Sequence, residues 1–185
     1  MPSLYNRAPF FRRPVTMKKI GILALVMIGM LVAAGLYPLH FLQLENPRTG
    51  KALLVRRVLA EDKFSLRYTH SVELCTIWDC YLVDDRYRLV LDATVFGSSN
   101  TGLPALLGEG EKLSREKNNY RISNMRRVLP RVDFWVNKKY DNTLEFAGEN
   151  TNLPSLAGDS LLRLSIRKAP LFAFVYKKAL VFIPL

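Results

Sequence analysis

The side chains with the greatest chemical capacity stand close together in the segment Tyr68-Thr69-His70-Ser71-Val72-Glu73. A histidine, a serine and a carboxylate are the groups of a nucleophilic hydrolase, in which the base takes the serine proton and the acid orients the base. Adjacent residues of a strand point to opposite faces, so His70 and Ser71 are badly placed to act on each other. The sequence also contains no Gly-x-Ser-x-Gly elbow. These observations predict a chain that is not an enzyme.

The structural alternative is that these three residues hold a strand corner. The His70 ring and the Ser71 hydroxyl would then bond to backbone groups, and Glu73 would pair with an arginine. A second polar segment, Ser98-Ser99-Asn100-Thr101-Gly102-Leu103-Pro104, begins a long loop, and long loops on a rigid scaffold often carry function. We therefore predict one patch that contacts a partner or ligand, formed by His70, Ser71, Glu73, Ser98, Asn100, Gly102 and Pro104.

No metal or cofactor is predicted. The set His70, Glu73, Asp79 and Asp92 lacks a diagnostic ligand spacing. Cys75 and Cys80 would lie about 16 Å apart on one extended strand. A disulfide needs Cα atoms within about 7 Å, so the sequence predicts two free thiols.

A long apolar segment dominates the N-terminal part of the chain. The net charge is +11, of which residues 1–19 contribute five cations and no acid, leaving +6 for the remainder. Ile20 to Leu42 is almost wholly apolar, and Gly29 and Gly35 lie along it. At about 1.5 Å per residue this segment spans roughly 34 Å, enough for a hydrocarbon core of about 30 Å. The predicted organisation is a cytoplasmic leader over 1–19, a transmembrane anchor over 20–42 and one domain over 43–185.

The five leading cations place the N-terminus in the cytoplasm and the domain across the membrane. A location outside the cytoplasm argues against nucleic acid as a partner. A cleaved signal peptide is the competing interpretation, because Ala33 and Ala34 are small residues before Gly35. The apolar segment continues beyond that point, which favours an uncleaved anchor.

The remainder of the chain has the pattern of short strands. Apolar and polar residues alternate over Phe64–Tyr68 and Leu161–Ile166, and further strands are predicted at Ala52–Leu59, Val132–Val136, Thr143–Phe146, Leu171–Tyr176 and Ala179–Ile183. A hairpin turns near Asp84. Depending on its register, Asp79 faces Asp92 or Val90, and a longer loop or the second register is favoured because like charges repel. The fold class is all-β, an antiparallel β-sandwich or small barrel after one N-terminal transmembrane helix.

At these same residues the chain resembles the DUF1850 family of small bacterial proteins. The resemblance rests on Tyr68-Thr69-His70-Ser71-Val72-Glu73, on Tyr81-Leu82-Val83-Asp84 and on Phe96-Gly97-Ser98-Ser99-Asn100-Thr101-Gly102-Leu103-Pro104. It covers roughly Leu54 to Ile166. Asp79 stands where members often carry the longer Glu, and Asn100-Thr101-Gly102 replaces a Gly-Ala-Gly sequence.

The resemblance implies no enzymatic activity. It implies an association with TRAP-type transporters of the TAXI subgroup, which pair a periplasmic solute-binding protein with membrane subunits. The expected protein is therefore an auxiliary transporter subunit for organic anions, anchored once in the inner membrane with its domain in the periplasm. Its expected partners are the transporter's membrane subunits, its solute-binding protein and membrane lipid. Two alternatives stay open: a freestanding periplasmic module that binds small anions, and a hydrolase or metal enzyme.

Overall fold

The computed structural model describes residues 17–69, 75–97 and 107–182. In chain order its elements are α1 (Met17–Leu36), β1 (Pro38–Glu45), β2 (Ala52–Arg57), β3 (Lys63–Thr69), β4 (Thr76–Val83), β5 (Leu89–Phe96), β6 (Lys112–Glu116), β7 (Asn119–Ser123), β8 (Arg127–Leu129), β9 (Val132–Val136), β10 (Thr143–Phe146), β11 (Glu149–Asn152), α2 (Leu153–Ala157), β12 (Ser160–Pro170) and α3 (Leu171–Phe182). The chain divides into two units, one containing α1 and the other beginning at Pro38.

The unit that begins at Pro38 is a β-sandwich of two antiparallel sheets. Sheet A has the strand order β2-β1-β12-β9, and sheet B has the order β11-β10-β3-β4-β5-β7-β6, with β8 paired to β5. Leu42 and Leu162 of sheet A meet Leu66, Tyr81 and residues near them on sheet B in one hydrophobic core. The predicted fold class is confirmed, and two separate sheets make it a sandwich.

Helix α3 covers the outer face of sheet A. The Phe174 ring lies 5.8 Å from the Phe41 ring of β1, and Lys177 Nζ donates to Gln43 Oε1 at 2.9 Å. The prediction of strands over Leu171–Tyr176 and Ala179–Ile183 is therefore wrong over the described residues. A short apolar run is compatible with either a buried strand or a buried helix. Here it forms a helix, which packs one side against sheet A.

Helix α1 ends at Leu36, six residues before the predicted end of the anchor. Pro38 disfavours helical geometry in the residue before it, so the helix stops and β1 begins. Leu42 is fully buried in the sandwich core and is not an anchor residue. Strand β1 is covered by sheet B on one face and by α3 on the other. Strands buried on both faces are nearly continuous in apolar residues, which explains the error.

Helix α1 contains Ile20, Gly29 and Gly35 as predicted and has 20 residues. Its length of about 30 Å matches a hydrocarbon core. Among the described residues it is the one helix long and apolar enough to cross a membrane, a property that anchors and signal sequences share.

The position of Leu42 gives a test of the corrected boundary. Leu42→Ala should lower the free energy of unfolding by about 2–5 kcal/mol, because it opens a cavity in the core. Leu31→Ala is the matched control, since Leu31 lies on α1 and is 68% exposed. Urea unfolding of the detergent-solubilised chain, followed by tryptophan fluorescence, measures both variants. Equal small effects of the two substitutions would place Leu42 in the anchor after all.

Candidate functional site

Sheet B has two ends that differ in what they carry. Strand β3 finishes at Thr69, which pairs with Thr76 at the start of β4. Strand β5 finishes beside them, because Phe96 pairs with Ile77. We call this the loop end, defined by Thr69, Thr76 and Phe96. Both predicted polar segments are attached there.

The predicted contact residues themselves, His70, Ser71, Glu73, Ser98, Asn100, Gly102 and Pro104, lie outside the described residues. The register fixes only that the chain leaves and re-enters the sheet at one end. That placement agrees with the expectation of one patch and does not test it.

Near the loop end, a half-buried carboxylate lies on the inner face of sheet B. Strand alternation turns Asp79 of β4 to the same face as Tyr81, which belongs to the core. Asp79 accepts hydrogen bonds from the hydroxyls of Thr94 at 2.7 Å, Tyr68 at 3.1 Å and Tyr81 at 3.5 Å. A buried charge is expensive unless it is hydrogen-bonded, so these three donors are what allows a carboxylate here. We call these four residues the Asp79 cluster.

Burial dominates the protonation of the Asp79 cluster. Desolvation raises the pKa of Asp79, and the bonds from Thr94, Tyr68 and Tyr81 oppose that rise only partly. Desolvation and the neighbouring carboxylate raise the pKa of both tyrosines. The hydroxyls therefore remain protonated donors. The cluster can hold or release one proton at Asp79.

In the hairpin between β4 and β5, Asp79 and Asp92 do not face each other. Its loop runs over residues 84–88, where the Asp84 carboxylate accepts from the backbone N–H groups of Arg86 at 3.0 Å and Arg88 at 2.7 Å. A bulge between Cys80 and Tyr81 then shifts the register, so Asp79 faces Thr94. The favoured longer loop is confirmed, and the two-residue registers are wrong.

Asp92 belongs to a different site. With Cys80, Arg121 and Glu145 it lines a cavity of about 420 Å³ on the outer face of sheet B. Its lining also includes Lys63, so both signs of charge are present. Mixed charge gives small anions no clear preference, and the cavity therefore does not favour an anion-binding module.

The described residues contain no group of three or more His, Cys, Asp or Glu side chains placed to hold a metal ion. Cys75 and Cys80 are free thiols, as predicted. Burial raises the pKa of the Cys80 thiol, which disfavours the reactive thiolate. Sequence reasoning missed the hydroxyl donors of the Asp79 cluster. The signal available was a strand acid flanked by tyrosines, and it becomes specific only when the register is known.

The raised pKa of Asp79 predicts a pH-dependent stability. The native state retains the proton where the unfolded chain has lost it, so stability falls as pH rises from the ordinary value of 3.8 through the raised pKa. Asp79→Asn should remove this loss, which amounts to about 1.4 kcal/mol for each unit of the rise. Urea unfolding of the detergent-solubilised chain across the acidic to neutral range measures it.

Thr94→Val is the companion variant. It keeps the side-chain shape and removes the donor closest to Asp79, so the loss of stability should extend to higher pH. Parallel pH profiles for the wild type and Asp79→Asn would contradict a raised pKa at this position.

Comparison with known families gives one match. Residues 64–153 match the model of a domain of unknown function, DUF1850. This region includes β3 to β11, and hence the Asp79 cluster and both segments of the predicted patch. Searches of curated proteins and of solved structures give no match. The chain thus belongs to the DUF1850 family, through a domain built around sheet B.

Proposed function

We propose that this chain is a membrane-anchored accessory protein of the cell envelope, an auxiliary subunit of a TAXI-type TRAP transporter. Helix α1 holds it in the inner membrane, with the N-terminus in the cytoplasm and the sandwich in the periplasm. The sandwich binds other polypeptides and catalyses no reaction. The family resemblance supports the transporter partner, and the arrangement of the sandwich supports a different contact at each of its ends.

The main support for this proposal is the distance between the two ends of the sandwich. Strand β1 enters at Pro38, and the His40 ring two residues later stacks on Tyr87 with centroids 3.8 Å apart. Tyr87 lies in the loop that follows Val83, the last residue of β4. We call this the exit end, defined by Pro38, Val83 and Tyr87. Strand β4 runs from Thr76 at the loop end to Val83, a distance of about 23 Å for an extended strand.

That separation supports contacts with different transporter components at the loop end and at α1. The exit end follows α1 after the single residue Tyr37, so it stays close to the point where the anchor leaves the bilayer. The loop end lies at the opposite end of the sandwich, about 23 Å from the exit end along β4. A patch there meets a soluble periplasmic partner, which favours the solute-binding protein. The membrane subunits are left to α1, whose Gly29 and Ala33 allow close helix packing.

Charge at the surface does not suggest another class of partner. Several arginines of the basic segment between residues 112 and 131 are paired with acids: Arg127 lies 2.6 Å from Glu111, and Arg131 lies 3.4 Å from Asp133. Exposed ion pairs of this kind are worth little in stability, but each one offsets a positive charge of the segment. This part of sheet B therefore fits a solvated rim.

The anchor is tested by the mass of the mature protein. Protein extracted from membranes should have the mass of a chain that retains α1, and it should resist extraction by alkaline carbonate. Cleavage before Gly35 would leave β1 intact, since that strand begins at Pro38. A mature chain starting at Gly35 would therefore be a folded, released sandwich, and it would overturn the anchor.

The partner is tested by co-purification. The tagged full chain, extracted in mild detergent, should bring down the solute-binding protein and the membrane subunits of a TRAP transporter. His70→Ala and Gly102→Val should reduce recovery of the solute-binding protein several-fold, while Arg126→Ala should not. Isolation of the chain free of every transporter component would refute the proposal. Loss of recovery in Arg126→Ala alone would move the contact away from the loop end.

A further inference from the structure

Helix α3 exposes large apolar side chains that sheet A does not cover, and two of them, Tyr176 and Leu180, also line a cavity at the edge of sheet A. Phe172, Val175, Tyr176 and Leu180 are 57%, 54%, 65% and 48% exposed, respectively. Their spacing places them on one side of the helix, since residues three and four apart are neighbours. A helix that is apolar all round is normally buried or in contact with lipid. An exposed face with four large side chains therefore marks a contact surface, which we call the outer α3 face.

Two lysines flank this face and do not interrupt it. Lys177 turns toward sheet A, where its Nζ donates to Gln43 and lies 5.4 Å from the centre of the Phe41 ring. Lys178 is exposed on the other side. Long lysine side chains can lie along apolar surface while their charge reaches water or head groups. Lys168 is also exposed, whereas Arg167 is paired with Glu45. The surroundings of the outer α3 face thus suit an anionic surface.

The fold ties the start of α3 to the exit end. Pro170, the last residue of β12, pairs with Pro38, the first residue of β1. Leu171 opens α3 directly after that pair. Leu36 ends α1 two residues before Pro38, which is at most about 7.6 Å along the chain. If α1 spans the bilayer, the covalent chain keeps the beginning of α3 near the membrane surface.

We propose that α3 is a second membrane contact, an interfacial helix whose outer face enters the boundary between head groups and acyl chains of anionic phospholipid. Its 12 residues extend about 18 Å, too short to cross a core of about 30 Å, so it lies in the plane of the interface. Tyr176 supplies the amphipathic ring that membrane interfaces favour. The inference rests on the proposed anchoring through α1.

The consequence is a fixed orientation of the domain. A single anchor leaves the sandwich free to rotate about the bilayer normal and to tilt, whereas a second contact removes the tilt. Burial of the four apolar side chains of the outer α3 face supplies the attraction, and the exposed Lys168 and Lys178 add electrostatic attraction to anionic lipid.

The test places an environment-sensitive NBD label at Val175→Cys in the full chain, with Cys75 and Cys80 replaced by serine. The protein is reconstituted into nanodiscs of phosphatidylcholine with phosphatidylglycerol. The label should emit at shorter wavelength than in water, and acyl-brominated lipid should quench more than half of its emission. Leu113→Cys on β6 is the matched control, since Leu113 is 52% exposed, and its label should escape quenching. Nanodiscs without phosphatidylglycerol should quench position 175 less.

Ile28→Cys on α1 separates this inference from the anchor. Quenching at 28 without quenching at 175 overturns the α3 contact and leaves the anchor standing. Quenching at 175 without quenching at 28 upholds the α3 contact and overturns the anchor. A label at 175 that is shielded from water but not quenched by brominated lipid shows a second copy or another protein on the outer α3 face, and it also overturns the inference.

A second measurement avoids the cysteine replacements. The wild-type chain in nanodiscs that contain a diazirine-bearing phospholipid should give lipid crosslinks within residues 171–182 after irradiation, mapped by mass spectrometry. Peptides of β6 and β7 should remain unmodified. Absence of crosslinks in α3, with crosslinks present in α1, would overturn the α3 contact without any substitution in the protein.

Discussion

The structure depends on the burial of strand β1 on both of its faces. Leu42 and Leu44 fill the core between the sheets, while Phe41 and Gln43 lie under α3. Each buried large aliphatic side chain contributes about 1.5–3 kcal/mol, so β1 binds three layers together. The same strand is the first element after α1, separated from it by Tyr37. The strand that contacts both the core and α3 is thus also the one joined to the apolar helix α1.

The family match and the folded unit do not coincide. The match over residues 64–153 includes nearly all of sheet B, but of sheet A it includes only β9. Strands β1, β2 and β12 close the other side of the core, and they come from outside the match. A domain confined to those residues would expose the apolar face of sheet B to water. The Asp79 cluster lies on that face, so its desolvation, and with it the raised pKa, requires the strands contributed by the flanking sequence.

Sequence reasoning succeeded where a strand has one face in water. The residue limits of β9 and β10 agree with the predicted strands, and the alternation in β3 was clear. Sequence reasoning failed where an element has no polar face. Strand β1 is covered on both faces, so its apolar residues continue the apolar run of α1. Helix α3 has large apolar side chains on both sides, so its helical period is not visible in the sequence. The loop over 84–88 could be favoured on charge, but the bulge that opposes Asp79 to Thr94 depends on packing. The three hydroxyl donors at Asp79 come from three strands, so the sequence identifies them only when the register of those strands is known.

The two ends of the sandwich differ in the elements that they contain. The exit end follows α1 in the chain, and it contains the Pro38–Pro170 pair, the His40–Tyr87 stack and the start of α3. The loop end has no such connection to α1 and is about 23 Å away along β4. The half-buried Asp79 lies on β4 between the two ends, and its hydrogen bonds to Tyr68 of β3 and Thr94 of β5 favour one register of the central strands.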